Sequence, residues 1–436
     1  MNTGSVGRVE KGLRTIGDPT LSLAAVVLLA WAGSLCFSRQ AAAQAGSLDA
    51  TFGKGGIFSV STATFQTATS VALQSDGKIL VAGTINNLPG VLRLNSNGTP
   101  DTGFGTGGAA TSSFNNNASG DVAVGVVVQT DGKIVIAASD AFADNGNLGF
   151  LVARFNTNGS PDTTFGNGGT VVTSPFNQFL FSPTVIVLQP DGMIVVAGSG
   201  VMARYQTNGQ LDPTFGTDGI ATLTLQSVTA IALQAGKILI VSGGAPFLLG
   251  SPTTGAIARY NSNGSLDTTF GSSGQAACLP SGTAIVVQST GKIVVAGSAV
   301  SRLVAPTKNL VGFGLTRFNP NSSLDATFGT HGTAITAFTT EPVAVANALA
   351  QQANGDIVAA GATGTSNFTN PVSVFALARY SATGRLDPTF GSGGRVTTAP
   401  DSGLAAIAAM AVQSDGKIVV VGSAGATVIV ARYLGQ

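Results

Sequence analysis

The sequence predicts an all-β fold, a seven-bladed β-propeller of four-stranded antiparallel blades. Three observations carry this. A phrase Asp-x-Thr/Gly-Phe-Gly, with another Gly three residues after its own, occurs seven times, at Asp49, Asp101, Asp162, Asp212, Asp267, Asp325 and Asp387. Between successive phrases lie a hairpin pattern and an Arg-containing apolar run, so each repeat of about 50–60 residues supplies four short strands, the signature of a propeller blade rather than a β-helix rung. The two ends are also complementary. The repeat region opens on a lone fourth strand, Ser47 to Gly53, and stops just after a lone set of three, at Ala431-Arg432-Tyr433. Joining them closes the wheel and removes its free edges.

Residues 1–45 stand outside the repeat. Arg8, Lys11 and Arg14 precede an apolar run from Leu21 to Phe37, and Ala43-Gln44-Ala45 follows with small residues at the two key positions. This is the pattern of a secretory signal peptide with cleavage after Ala45. The mature chain, 46–436, reads as one domain with no later run long enough to span a membrane. Its compartment is expected to be periplasmic, cell-surface or extracellular. The leader holds Arg8, Lys11, Arg14 and Arg39 against Glu10 and Asp18, so the remainder is nearly neutral and attracts neither nucleic acid nor an anionic membrane. Cys278 is the one cysteine left, so no internal disulfide is expected.

Within a repeat, strand a is an apolar run ending in Gln, as in Val71-Ala72-Leu73-Gln74. A polar turn such as Ser75-Asp76-Gly77 leads into strand b, Lys78-Ile79-Leu80-Val81-Ala82-Gly83. Asp-Gly between two such runs predicts a hairpin because Gly accepts the positive φ the turn requires. Strand b is apolar without alternation, which suits a strand covered on both faces by neighbouring blades. Its trailing Ala-Gly is expected to let adjacent sheets approach. Strand c is the run typified by Val152-Ala153-Arg154-Phe155, ending in Asn-x-Asn-Gly. Strand d is expected from the Leu-Asp-x-Thr-Phe-Gly phrase onward.

The succession Leu-Asp-x-Thr-Phe-Gly-x-Gly-Gly, Leu-Gln-x-Asp-Gly-Lys-Ile-Val-Val-Ala-Gly and Ala-Arg-Tyr-Asn-x-Asn-Gly resembles the delta-60 repeat family of bacterial exported proteins, over essentially all of residues 46–436. The strand order is similar to that of NHL-type propellers. The resemblance implies an exported or surface β-propeller in a family without an assigned general activity. The departures are local: Gly236 lacks the preceding Asp, Asp356 replaces the turn Lys, and His331 stands in a Gly slot.

Few residues suggest chemistry. The Asn-x-Asn-Gly-x-x-Asp runs, such as Asn95 to Asp101 and Asn261 to Asp267, offer one carboxylate each and no bidentate Glu, so they read as turns rather than calcium loops. The arginines Arg93, Arg154, Arg204, Arg259, Arg317, Arg379 and Arg432 recur with the aspartates and read as structural pairs. The glutamines Gln74, Gln129, Gln189, Gln234, Gln288, Gln352 and Gln413 read as caps on the a–b turns. His331 is the only histidine and Trp31, in the leader, the only tryptophan. His-cluster metal sites and stacked-tryptophan quinone sites are therefore not expected, and no phosphate-binding fingerprint occurs. Neither a metal nor a cofactor is expected.

Once repeat-encoded charges are removed, Asp121, Asp140, Asp144, Arg302, Lys308, Glu341 and Asp401 remain. All fall in or beside b–c or d–a connections, which share one face and vary in length. Variable loops on a rigid scaffold are the usual seat of binding. The expected function is an exported, non-enzymatic, monomeric binding or scaffold propeller engaging protein or glycan through that face. The alternative is a carboxylate-dependent hydrolase or lyase at the same face, with Asp121, Asp140 and Asp144 as its nearest cluster.

Overall fold

The computed structural model describes residues 44–61, 64–112, 121–140, 149–173, 184–243, 255–278, 281–301, 310–338, 343–365, 373–400 and 404–436. The expected signal peptide lies outside them, except for its last two residues. The fold is an all-β propeller. Among the described residues the strands form five four-stranded sheets and one eight-stranded sheet. The latter is two four-stranded groups joined by a single parallel bridge between Val311 and Val343. Pairing within every group is antiparallel, and in all but one it follows chain order a-b-c-d, as in Phe65–Leu73, Ile79–Ile85, Leu88–Leu94 and Ala109–Thr111.

One sheet departs from chain order. Ala405–Val412, Ile418–Ala424 and Thr427–Tyr433 come from the end of the chain, and the fourth strand is Ile57–Ser61 from its beginning. That strand runs antiparallel to Thr427–Tyr433, with Ile57 facing Ala431 and Ser61 facing Thr427. The strand begins later than the sequence suggests. Asp49-Ala50-Thr51-Phe52-Gly53 is a turn, because the Asp49 carboxylate accepts from the Thr51 N–H and hydroxyl (3.0 and 2.6 Å) and curls the backbone on itself. The repeats of Asp162, Asp212, Asp267, Asp325 and Asp387 do the same, in that of Asp101 only the Gly103 N–H makes this turn contact, and every d strand starts after the glycines.

Strand b is the buried centre of each sheet. Ile79, Leu80, Val81 and Ala82 are fully buried, as are Ile134–Ala138 and Val419–Val421. Alternate side chains enter different inter-sheet cores: Ile79 and Val81 meet Val419, Val421, Val428 and Val430, whereas Leu80 and Ala82 meet Phe104, Ile134 and Ile136. Burial on both faces, at about 1.5–3 kcal/mol per large aliphatic side chain, explains why these strands do not alternate.

The glycine that follows the apolar run of strand b has a reason other than close approach of the next sheet. A Cβ on Gly83 would overlap the Thr67 carbonyl, and one on Gly361 the Val345 carbonyl, both in strand a of the same sheet. Strand a carries a bulge there: the register skips Thr69 between Ala68 and Ser70, and Asn347 between Ala346 and Ala348. The glycine makes room for the kinked partner.

Candidate functional site

The ends of the sheets that carry the a–b and c–d turns are tied together. Arg154 in strand c donates through Nε to Asp162 Oδ2 (2.7 Å), through Nη2 to the Thr164 hydroxyl (3.3 Å), and through Nη1 to the Thr207 carbonyl in the next repeat's c–d turn. Its guanidinium lies over the Phe165 ring, 4.6 Å from the centroid. The Asp, Thr and Phe of the repeated phrase are thus one arginine cradle. Arg93 reaches the Thr157 carbonyl, Arg204 that of Ser262, Arg259 that of Pro320, Arg317 that of Ala382 and Arg379 that of Gly435; Arg432 reaches back to Ser96. Every repeat therefore holds the turn of its successor, and the last repeat holds that of the first.

Several glutamines join this network instead of capping their own turns, whereas the buried Oε1 of Gln74 and that of Gln189 meet no donor among the described residues. Gln234 Oε1 accepts from Arg259 Nη1 (2.9 Å), and its amide donates to the Gly291 carbonyl of the next a–b turn (2.7 Å). Gln352 does likewise with Arg379 and Gly416. Lysines add a second cation to several carboxylates, with Lys133 at 2.9 Å from Asp162 and Lys292 at 2.7 Å from Asp325. Burial opposes the charge on Asp162, but donation from Lys133 and Thr164 and the field of Arg154 outweigh it and hold the carboxyl far below its ordinary range. The same balance lowers Asp49, Asp101, Asp212, Asp267, Asp325 and Asp387. The Asn-x-Asn-Gly runs are closed on themselves: Asn97 Oδ1 accepts from the Thr99 N–H and hydroxyl (3.0 and 2.7 Å). Among the described residues no group of three His, Cys, Asp or Glu side chains is placed to hold a metal ion.

A central cavity of about 290 Å³ is lined by strand a of every repeat. At its wall stand Thr69, Val124, Thr184, Thr229, Thr283, Asn347 and Ala408, each five positions before a repeat glutamine. Where the register is paired across this position they are the bulge residues. The bulge turns their side chains toward the neighbouring sheet: Thr69 Oγ1 donates to the Ala123 carbonyl (2.6 Å), Thr184 to Val228 (2.9 Å), Thr229 to Gly282 (2.8 Å) and Asn347 Nδ2 to Ile407 (2.9 Å). Thr283 reaches Ala346. Val124 and Ala408 have no group to make this bond. This inner ring was not among the site residues expected from the sequence. A hydroxyl or amide residue five before most glutamines was its only trace.

The opposite face carries the b–c and d–a connections. Asp121 stands immediately before strand a of its sheet and is 7% exposed; its carbonyl faces the Thr84 hydroxyl at 3.5 Å. Asp140 is the last residue of Ile134–Asp140, in register with Gly149. Asp144, Arg302, Lys308, Glu341 and Asp401 lie outside the described residues. Among the described residues three b–c connections are tight turns: Asn86-Asn87 (φ 51° and 64°), Ser199-Gly200 (φ 43° and 78°) and Gly425-Ala426. His331 sits elsewhere, exposed in the turn before Thr333–Thr336, with φ 52°. Asp218 and Ser273 occupy the same slot, at φ 50° and 52°.

The model of the family described as "Domain of unknown function (DUF5122) beta-propeller" matches seven segments: residues 74–104, 129–165, 189–215, 236–270, 288–328, 352–390 and 413–434, together more than half of the chain. Each segment runs from a repeat glutamine or the a–b turn into the c–d region. No curated protein matches the sequence. Among solved structures the chain is similar to virginiamycin B lyase from Staphylococcus aureus, with 10% identity, 87% of this chain and 99% of that chain covered, and a TM-score of 0.52. A catalytically inactive variant of that lyase with quinupristin aligns at 11% identity, 87% and 99% coverage and 0.51. The WD40 domain of Neurospora crassa Pan2 aligns at 10% identity, 89% and 98% coverage and 0.50. At such identities the likeness is one of fold.

Proposed function

This chain belongs to the DUF5122 β-propeller family, and we propose that it is an exported, seven-bladed, delta-60-type propeller that binds protein or glycan through its b–c/d–a face. The ring closes with the N-terminal d strand completing the C-terminal blade. The pairing of Ile57–Ser61 with Thr427–Ala431 and the Arg432-to-Ser96 bond support that reading.

One observation carries the choice of face. On the a–b/c–d face each repeat arginine is committed to the aspartate of its own repeat and to a turn carbonyl of the next, with its side chain 11% exposed or less. The arginine charge of that face is thereby committed to holding the repeats together. The b–c connections instead range from two residues at Asn86-Asn87 to long insertions, and such variation is tolerated where the scaffold does not depend on it. Asp121, Asp140, Asp144, Arg302, Lys308, Glu341 and Asp401 are its charged candidates. Domain limits of residues 46–436 for the propeller and 1–45 for the leader remain part of this reading, the exact cut aside.

Hydrolase or lyase chemistry at the same face is the second reading, prompted by the fold shared with a lyase. It would need two carboxylates across one cleft. The single histidine supplies no help there, being on an exposed turn before a d strand.

The test is a glycan-array and surface-protein binding screen on the exported chain, repeated with Asp140, Asp144, Arg302 and Lys308 changed to Ala. Binding that the variant loses supports the face. Undiminished binding discards it, and a ligand released in altered mass favours the lyase or hydrolase reading.

A further inference from the structure

The last c–d turn is assembled from residues 44–47 and Leu434-Gly435, far apart in the sequence. In a continuous repeat the Phe-Gly N–H donates to the carbonyl of the residue four before the next aspartate: Gly53 to Asn97, Gly105 to Asn158, Gly166 to Asn208 and Gly216 to Asn263, all at 2.8 Å. Gly391 keeps this bond at the same length, and its acceptor is the Ala45 carbonyl, four before Asp49. Ala45 thus holds the Asn97 slot. Gly46, at φ +87°, holds the slot of Gly98, at φ +84°. The first half of the turn is Leu434-Gly435, where Gly435 accepts from Arg379 as Ser96 does from Arg432. Leu434 and the N-terminal segment exchange two bonds, Gly46 N–H to Leu434 O at 2.7 Å and Leu434 N–H to Ser47 O at 2.9 Å.

Ala45 is built into this joint. It is 8% exposed, in one cluster with Phe390, Ala431 and Tyr433. Gly46 is buried as well, and a Cβ there would stand 2.7 Å from Val396 Cγ2. Gln44 is exposed, and its amide donates to the Gly391 carbonyl at 2.6 Å. A chain beginning at Gly46 would lose the acceptor for the Gly391 N–H and place a terminal ammonium at a buried position, both unfavourable. A chain beginning at Gln44 keeps every bond and leaves its ammonium at an exposed residue.

We propose that Gln44–Ser47 is the structural second half of the last c–d turn, and that the leader is removed at the Ala43–Gln44 bond rather than after Ala45. Ala41-Ala42-Ala43 places small residues at both positions that a small-residue-selective leader protease reads. One water adds across the Ala43–Gln44 amide, leaving a carboxylate on Ala43 and an amine on Gln44. The proposal rests on the leader reading given above.

The experiment is expression of the full chain in an exporting bacterial host, with the N-terminus of the exported protein read by intact mass and terminal sequencing. Gln44 is the expected first residue, and Ala41→Leu is expected to abolish that cut. A first residue of Gly46, insensitive to Ala41→Leu, overturns the proposal while leaving the leader reading intact. A chain exported or retained with residues 1–43 attached refutes the leader reading, and the proposed cut with it.

Discussion

Replacing Asp49 with Asn separates the pair that joins the chain ends from its local counterparts. Asp49 Oδ2 receives Nε and Nη2 of Arg432 at 2.9 Å each, with both side chains about 5% exposed. The same geometry joins Arg154 to Asp162, only eight positions apart. Asn preserves an acceptor for the Thr51 N–H and hydroxyl but removes the charge, leaving a buried guanidinium with Lys417 close by. Removing one partner of a buried pair costs about 3–5 kcal/mol. The new amide NH2 faces the Arg432 donors where Oδ2 stood; the kept Thr51 bonds and the freedom of the 30%-exposed Lys417 to turn to water hold the expected loss at the lower end, about 3 kcal/mol. Asp162→Asn should cost a similar amount in urea denaturation. The two variants should differ in local opening. Asp162 lies inside a continuous repeat, whereas Asp49 anchors a strand whose sheet partner is at the other end of the chain. Hydrogen exchange followed by mass spectrometry should show faster exchange across residues 57–61 and 427–433 in Asp49→Asn alone. Equal exchange there in both variants, or wild-type exchange in Asp49→Asn, would refute the reasoning.

Ala408→Thr should supply a hydroxyl missing from the inner ring, donating to the Ala68 carbonyl as Thr69 donates to Ala123, and raise stability by about 0.5–1 kcal/mol in urea. His331→Gly should stabilise by about 0.5–1 kcal/mol, since φ 52° strains a side chain and glycines in the equivalent slot, such as Gly107 and Gly168, meet nothing a side chain would touch; an unchanged thermal midpoint would contradict this. Acid should unfold the protein through the repeat aspartates. Their folded pKa values lie below the unfolded ones, so their contribution is full above about pH 5 and is lost as pH falls below about 4 through the folded values. Urea midpoints measured from pH 7 to pH 2 should fall only in that lower range, and a fall between pH 7 and 5 would point to other groups.

The repeat was legible because its parts are local. Asp-Gly turns, the unalternating strand b and the Arg and Asp eight positions apart each occupy a short window, and their phase exposed the complementary ends. What was not legible depends on contacts between repeats. Gln234 looks like a cap on its own turn until the next turn's Gly291 is seen beside it. Gly83 looks like an allowance for a neighbouring sheet, yet its limit is the bulge carbonyl of Thr67. Thr69 and Thr184 resemble any hydroxyl residue in a strand, and only the bulge aims them at the adjacent sheet. At the binding face, composition alone picked out the charges. Asp121 is buried against the Thr84 region, a placement that depends on a strand more than thirty residues away in sequence.

Closure is most directly measured by a cross-link between the strands that would make it. In the Ser61→Cys/Thr427→Cys chain, with Cys36 changed to Ser, mild oxidation should join the facing positions, giving a faster-migrating band on non-reducing gels and a raised thermal midpoint. Cys278 should stay out of the reaction, since burial leaves it inaccessible and pushes its thiol up to about 12. Failure to cross-link in the folded chain, with both new thiols open to alkylation, would contradict a wheel shut by its first strand.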